Sequence, residues 1–285
     1  MDLTKDNITE LIKKIAIPAS VGTFFQTMYN LVDSKFAGLI SPEALTAIVK
    51  SFPIYLIIIA ASVGISAGTT ALISNTLGQK DTEKASVLFA QSIIVALLIT
   101  FVVTFIGIAS IKDILIILKS NNQIISYATD YMNVIFSGSI VIFLLVTINA
   151  SLVSRGDTKS YRNVLIFSFF LNILLNPLFI YGFYLIPAMG ISGIALATIV
   201  SELIGLIYLI YKINKTEIRE YLSPECFKPK MALISDILKQ AIPSGLSMGM
   251  VGFGVFILIY LVSSYGDFSA GGYGTGVRFE QLFLL

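Results

Sequence analysis

The amino-acid sequence predicts an all-α membrane protein, with a six-helix N-terminal bundle followed by about two helices of a second, homologous bundle. Three observations predict this fold class: a high hydrophobic content, long uncharged stretches, and charged residues confined between those stretches. Of the 285 residues, 56% are hydrophobic and 13% are charged. So few charges cannot cover the surface of a water-soluble domain of this size.

The uncharged stretches set the number of membrane spans. Each is longer than the roughly 20 apolar residues that cross a bilayer as a helix. They are 51–79, 87–111, 131–154, 163–201 and 240–266. The fourth is long enough for two spans, divided at Pro187 and Gly190. Because strict alternation is absent, helices are favoured over barrel strands. The predicted spans are 12–36, 51–78, 87–111, 124–153, 162–183, 190–211 and 237–263, with an eighth from 270.

The lysines and arginines between the spans predict the orientation. With a cytoplasmic N-terminus, fourteen fall on the cytoplasmic side and four on the other, which is the positive-inside bias. The fourteen are Lys5, Lys13, Lys14, Lys80, Lys84, Arg155, Lys159, Arg162, Lys212, Lys215, Arg219, Lys228, Lys230 and Lys239, and the four are Lys35, Lys50, Lys112 and Lys119. The first apolar run lacks a small-residue cleavage site, so it is interpreted as a retained helix. We therefore expect a multi-pass protein of the inner cell membrane.

A polar segment divides the sequence into two lobes. Residues 214–236 hold Pro224, Pro229 and much of the cytoplasmic charge, which is typical of a linker. We predict an N-terminal lobe over 1–213, a cytoplasmic linker over 214–236 and the start of a C-terminal lobe over 237–285. Lys14-Ile-Ala-Ile-Pro18 and Lys239-Gln-Ala-Ile-Pro243 open the first and seventh spans, a short match that indicates duplication. Because the sequence stops inside an apolar run, we expect it to be truncated.

Composition argues against several classes of function. The chain has no histidine, a single cysteine, Cys226, and a net charge of +2. Histidine-based metal sites and proton relays are therefore excluded, and the charge is too small to indicate a nucleic-acid partner. The sequence also lacks paired carboxylates, or a nucleophile beside a base, at membrane depth. We expect a lipid-embedded protein that is not an enzyme and needs no cofactor.

Polar residues follow one face of the first helix. Gln26, Tyr29, Asn30 and Asp33 are spaced i, i+3, i+4 and i+7. Polar groups on one face of a membrane helix indicate a protein interior or a water-filled cavity. Asp33 could instead be a solvated residue near the outer helix end, but its three polar companions favour a functional role.

A second polar stripe lies on the fifth helix, where Ser168, Asn172 and Asn176 are four residues apart and Pro177 interrupts the helix. Amide and carbonyl oxygens are hard ligands that suit Na⁺. The alternative is that these amides only join neighbouring helices by hydrogen bonds. The pattern alone favours neither interpretation.

Later helices carry single polar or charged residues. Thr198, on the sixth helix, is a candidate ligand that could also bond within its own turn. Glu202, one turn later, is interpreted as interfacial. Asn149 lies near the inner end of the fourth helix. Arg278 and Glu280 lie on the eighth helix, and at i and i+2 they do not face each other.

Several of these motifs occur together in a specific order. They are Gln26-Thr-Met-Tyr29-Asn30-Leu-Val-Asp33, Arg155-Gly156-Asp157-Thr158, Asn172-Ile-Leu-Leu-Asn176-Pro177 and Gly276-Val-Arg278-Phe-Glu280-Gln281. In order and spacing they resemble the multidrug and toxic compound extrusion family over essentially the whole chain. The resemblance implies two six-helix bundles around a central cavity, and a monomer when full length. It also implies export of small cationic or amphiphilic compounds in exchange for H⁺ or Na⁺.

The resemblance also implies which residues form the sites. The coupling-ion site would comprise Asp33, Asn30, Gln26, Asn172, Asn176 and Thr198, with Na⁺ held at Asp33, Asn172 and Asn176. The substrate cavity would include Tyr29, Asn149, Arg278 and Glu280. Many relatives have Asp where this chain has Asn176, so one carboxylate is missing and H⁺ is slightly favoured over Na⁺. One subfamily binds its cation at a Glu of the seventh helix. This chain has no acidic residue between Lys239 and Asp267, which argues against membership of that subfamily.

Two alternatives remain open at this point. One is a lipid-linked saccharide flippase of the same superfamily, whose cavity would be rich in cations for pyrophosphate. Only Arg278 is clearly intramembrane, so the exporter is favoured. The other is a fragment that transports nothing, because the cavity needs both lobes. The sequence leaves the substrate and the choice of coupling ion undetermined.

Overall fold

The computed structural model describes residues 8–283, which form eight α-helices. The helices are α1 (Ile8–Ile40), α2 (Pro42–Gly78), α3 (Thr82–Ile117), α4 (Asn122–Val153), α5 (Lys159–Tyr181), α6 (Ile191–Ile213), α7 (Met231–Ser263) and α8 (Asp267–Phe283). Within this range the β-structure is limited to one isolated bridge, between Phe183 and Ile186 in the α5–α6 connection. The predicted all-α fold is confirmed.

Six helices, α2 to α7, are long and apolar enough to cross a membrane, judged by length and composition over the described residues. The prediction of seven complete spans also counted α1, which falls outside this set. Its central turns carry Gln26, Asn30 and Asp33, whose polarity offsets the apolar residues between them. In the bundle α1 packs against α2, α5 and α8, which buries Asp33 and partly buries Asn30, whereas Gln26 stays exposed.

Side-chain caps determine where three of the helices begin. Ser41, Asp81 and Asn121 each accept a hydrogen bond from the backbone amide three residues later, at 2.9–3.0 Å. Such a cap satisfies one of the amides that a helix N-terminus leaves unpaired. These caps therefore fix the residues at which α2, α3 and α4 begin. The chain reverses direction in the short connection before each of these helices.

The segment predicted as a linker is ordered against α3. It contains two short 3₁₀ turns, Glu217–Arg219 and Pro224–Phe227, and its last residues already belong to α7, which begins at Met231. The fully buried amide of Gln91, on α3, donates to the carbonyl of Cys226 at 2.7 Å. The same side chain also bonds two further backbone groups of the linker, so its position is fixed.

The contact between α2 and α7 brings the two predicted lobes into close approach. A Cβ added at Gly64 would lie 2.6 Å from the carbonyl oxygen of Ala241, and one at Gly68 would lie 2.7 Å from that of Ile237. Glycine at both positions lets the helix backbones touch. Because α8 also packs on α1 and α2, residues of the predicted second lobe reach the interior of the predicted first lobe.

Candidate ion-binding cavity

A polar cavity of about 70 Å³ lies among α1, α2, α4, α5, α6 and α8. Its polar and aromatic lining consists of Gln26, Tyr29, Asn30, Asp33, Ser51, Phe52, Tyr55, Tyr131, Tyr161, Ser168, Thr198, Glu202 and Arg278. A cavity of this size can hold several water molecules or a small cation. It is well below the roughly 300–1,000 Å³ of a site for a drug-sized molecule. In this conformation the cavity therefore suits an ion rather than a drug.

Asp33, on α1, is held by donors from two other helices. Its side chain is 5% exposed. One carboxylate oxygen, Oδ1, accepts from Nδ2 of Asn176 on α5 at 3.0 Å. The other, Oδ2, accepts from the hydroxyl of Thr198 on α6 at 3.1 Å. These bonds partly compensate the cost of burying a carboxylate, and they connect α1, α5 and α6 at one point.

Two fully buried amides complete this cluster and leave it adjustable. Nδ2 of Asn176 also donates to Oδ1 of Asn172 at 2.8 Å. Among the described residues, Oδ1 of Asn176 and Nδ2 of Asn172 have no hydrogen-bond partner. A half-turn of the Asn176 amide would present Oδ1 instead of Nδ2 to Asp33. The same residues can thus offer a donor to a free carboxylate or an oxygen to a bound cation.

Arg278, on α8, brings a positive charge beside this cluster. The residue is 8% exposed, and its Nη1 donates to the hydroxyl of Ser34, the neighbour of Asp33. Its guanidinium also lies over the ring of Phe52, 5.5 Å from the centroid. A residue of the predicted second lobe therefore helps to close the cavity of the first.

The structure brings most of the predicted site residues together. The hydrogen-bonded cluster and the cavity that it borders include Asp33, Asn172, Asn176, Thr198, Gln26, Asn30, Tyr29 and Arg278. Two residues predicted for the substrate cavity do not line it. Asn149 lies on α4, with its Oδ1 buried and without a partner among the described residues. Glu280 is exposed, because at two residues from Arg278 it faces another side of α8.

Glu202 corrects an expectation from the sequence. We expected an interfacial acid, whereas the structure places it on the wall of the cavity. Its Oε2 is shielded from solvent and has no hydrogen-bond partner among the described residues. The sequence did contain an indication of this position. Glu202 follows Thr198 by four residues, so the two side chains share one face of α6. Tyr55, Tyr131 and Tyr161 were also missed, because tyrosines within apolar runs resemble core residues.

Comparison with known proteins identifies the family. The MatE family model matches residues 18–178, which is more than half of the chain. The chain belongs to the MatE family. The resemblance predicted from the sequence is therefore confirmed, together with the helical membrane fold.

Named relatives and solved structures agree with this assignment. Probable multidrug resistance protein NorM of Thermotoga maritima is 28% identical over 288 residues, covering 98% of this chain and 61% of its own. Probable multidrug resistance protein YpnP of Bacillus subtilis is 29% identical, covering 100% and 63%. A multidrug resistance MATE transporter in an inward-facing conformation superposes with a TM-score of 0.82 at 26% identity, covering 94% of this chain and 60% of its own. This MatE chain thus spans about three fifths of the length of the relatives it matches.

Proposed function

We propose that this chain supplies the ion-coupling lobe of a secondary-active exporter that exchanges cationic or amphiphilic compounds for H⁺ or Na⁺ by alternating access. The observation that carries the proposal is the carboxylate of Asp33, buried among amides and a hydroxyl inside a membrane-embedded bundle. Ionisable groups at membrane depth are costly, and they usually mark ion or proton pathways. Relatives named as probable multidrug resistance proteins support a role in drug export.

Alternating access is supported by two solved MATE transporters of different conformation. One inward-facing and one outward-facing structure match this chain with TM-scores of 0.82 and 0.79. A site that sits between packed helices and opens alternately to each side is the usual architecture of secondary transporters.

H⁺ is the proposed coupling ion, and Na⁺ is its competitor. In the observed arrangement Asn176 presents a donor to Asp33, so Na⁺ would first have to turn the amide and then collect several oxygen ligands. A proton needs only one oxygen of the carboxylate. With two carboxylates and one guanidinium among its described lining residues, the cavity also lacks the excess of cations that would hold the pyrophosphate of a flippase substrate.

Ethidium efflux from membrane vesicles tests the proposal, with the protein expressed from its complete reading frame. An imposed proton gradient is expected to drive efflux that stops when a protonophore collapses the gradient. A Na⁺ gradient alone is expected to drive slower efflux. The absence of efflux under both gradients, or a requirement for ATP, would contradict the proposal.

We also propose a cytoplasmic N-terminus and linker for this multi-pass membrane protein, because of the lysines and arginines on that side. Asn214, which is exposed just after α6, is a suitable reporter when changed to cysteine in a Cys226→Ser background. We expect Asn214→Cys to react in intact cells with a membrane-permeant thiol reagent only. Reaction with an impermeant reagent would reverse the proposed orientation.

A further inference from the structure

Glu202 gives the cavity a second carboxylate, on a different helix from Asp33. It follows Thr198 by four residues on α6, so it shares the helix face whose hydroxyl bonds Asp33. Its Oε2 is shielded from solvent and has no partner among the described residues. A buried carboxylate oxygen without a donor is costly, and binding a proton or a cation removes that cost.

The hydroxyl of Tyr29 is a second unpartnered group of the same cavity. It is shielded from solvent, has no partner among the described residues, and lies one turn before Asp33 on α1. The first and the sixth of these consecutive helices run antiparallel in the bundle. One turn toward the N-terminus of α1 and one turn toward the C-terminus of α6 therefore lead to the same level. Tyr29 and Glu202 thus form a second polar level, about 5.4 Å from the level of Asp33 and Thr198.

The charges that line the cavity do not balance. Its described lining residues carry two carboxylates, on Asp33 and Glu202, and one guanidinium, on Arg278. Arg278 donates to the hydroxyl of Ser34, the neighbour of Asp33, and no cationic side chain among the described residues pairs with Glu202. One additional positive charge would make the cavity neutral, and in a desolvated site that compensation is strongly favourable. The titratable and charged groups that share the cavity with Glu202 are Tyr29, Asp33, Tyr55, Tyr131, Tyr161 and Arg278.

We propose that Glu202 is a second proton-binding site, and that one proton passes between it and Asp33 during the transport cycle. This proposal rests on the proposed exporter function. The O–H bond of one carboxyl group breaks as an O–H bond forms on the other, so the net charge of the cavity is unchanged. The cavity has room for water that bridges the two carboxyl groups, and the unpartnered hydroxyl of Tyr29 can bond such a water.

Infrared difference spectroscopy of the chain in lipid tests whether Glu202 holds a proton. Titration of the wild-type chain is expected to show a protonated-carboxyl stretch that shifts in heavy water and is lost in Glu202→Gln. The matched control is Glu220→Gln, since Glu220 is exposed in the linker outside the cavity. A Glu202→Gln spectrum identical to that of the wild type over the whole titration would overturn the proposal.

Transport by the complete protein supplies the second readout. Glu202→Gln is expected to slow proton-driven ethidium efflux at least about tenfold, while Glu202→Asp retains the acid and most of the rate. Wild-type efflux by Glu202→Gln would overturn the proposal even if Asp33 is essential. These two experiments distinguish failure of this proposal from failure of the proposed exporter function. If the exporter function is wrong, the wild-type protein shows no proton-driven efflux, while the infrared titration still reports whether Glu202 binds a proton.

Discussion

Asp33→Asn is expected to reduce proton-driven efflux to the level of vesicles without the transporter. The asparagine oxygen can still accept from Nδ2 of Asn176, and its amide can donate to the hydroxyl of Thr198, so both inter-helix bonds are retained. What is lost is the only group in this cluster that can bind and release a proton. Removal of a buried carboxylate also removes a desolvation cost, so folding and membrane insertion should be unaffected.

The measurement is ethidium efflux under separately imposed proton and Na⁺ gradients, together with thermal unfolding of the purified variant. Asp130→Asn is the matched control, because Asp130 is exposed on α4 and does not line the cavity. The control is expected to transport like the wild type. Gradient-driven efflux of wild-type rate by Asp33→Asn would remove Asp33 from the coupling mechanism and favour a purely structural role.

Asp267→Asn is expected to lower the free energy of unfolding by about 3 kcal/mol. The side chain of Lys50 is fully buried, and its ammonium donates to Oδ1 of Asp267 at 2.5 Å and to the carbonyl of Leu118 at 2.9 Å. In the variant the ammonium stays buried without its counter-charge. Removal of one partner of a buried pair costs about 3–5 kcal/mol. Asp267 is 17% exposed, so water can relieve part of this cost.

Reversible unfolding in detergent measures this effect. Asp236→Asn is the control, since its ion pair with Lys239 has side chains 49% and 71% exposed. Such a surface pair contributes no more than about 1 kcal/mol. The double variant Lys50→Met with Asp267→Asn is expected to recover most of the lost stability, because neither charge of this pair remains. If Asp267→Asn lowers the free energy of unfolding no more than Asp236→Asn does, then the ion pair between Lys50 and Asp267 is not effectively desolvated.

The helices could be predicted from the sequence because the bilayer sets their length and excludes charge from their centres. The uncharged stretches accordingly fall mostly within α2 to α7, although several of these helices extend beyond them and carry charges near their ends. Periodicity also indicated which faces are polar: Asp33 and Asn176 both belong to stripes spaced by one helical turn. Hydropathy was less informative for α1, because Asp33 and Asn30 on its polar face lie against other helices and not against lipid.

The contacts between those faces could not be predicted from spacing. Asp33 and Asn176 are 143 residues apart, and Asp33 and Thr198 are 165 residues apart. Periodicity reports on one helix at a time, so it cannot show which polar stripes meet. The family resemblance grouped these residues, and the structure provides the bonds that join them.

The sequence by itself determined that this chain is a bundle of membrane helices with a polar stripe around Asp33. Only the tertiary structure decided the environment of its other charges. Glu202 was expected at an interface but lines the cavity, and Lys50 was counted in a connection on the non-cytoplasmic side but lies buried within α2 against Asp267. The environment of a charge on a helix depends on how that helix is rotated within the bundle. It also depends on which distant segment covers it, and neither is encoded in the local pattern of hydropathy.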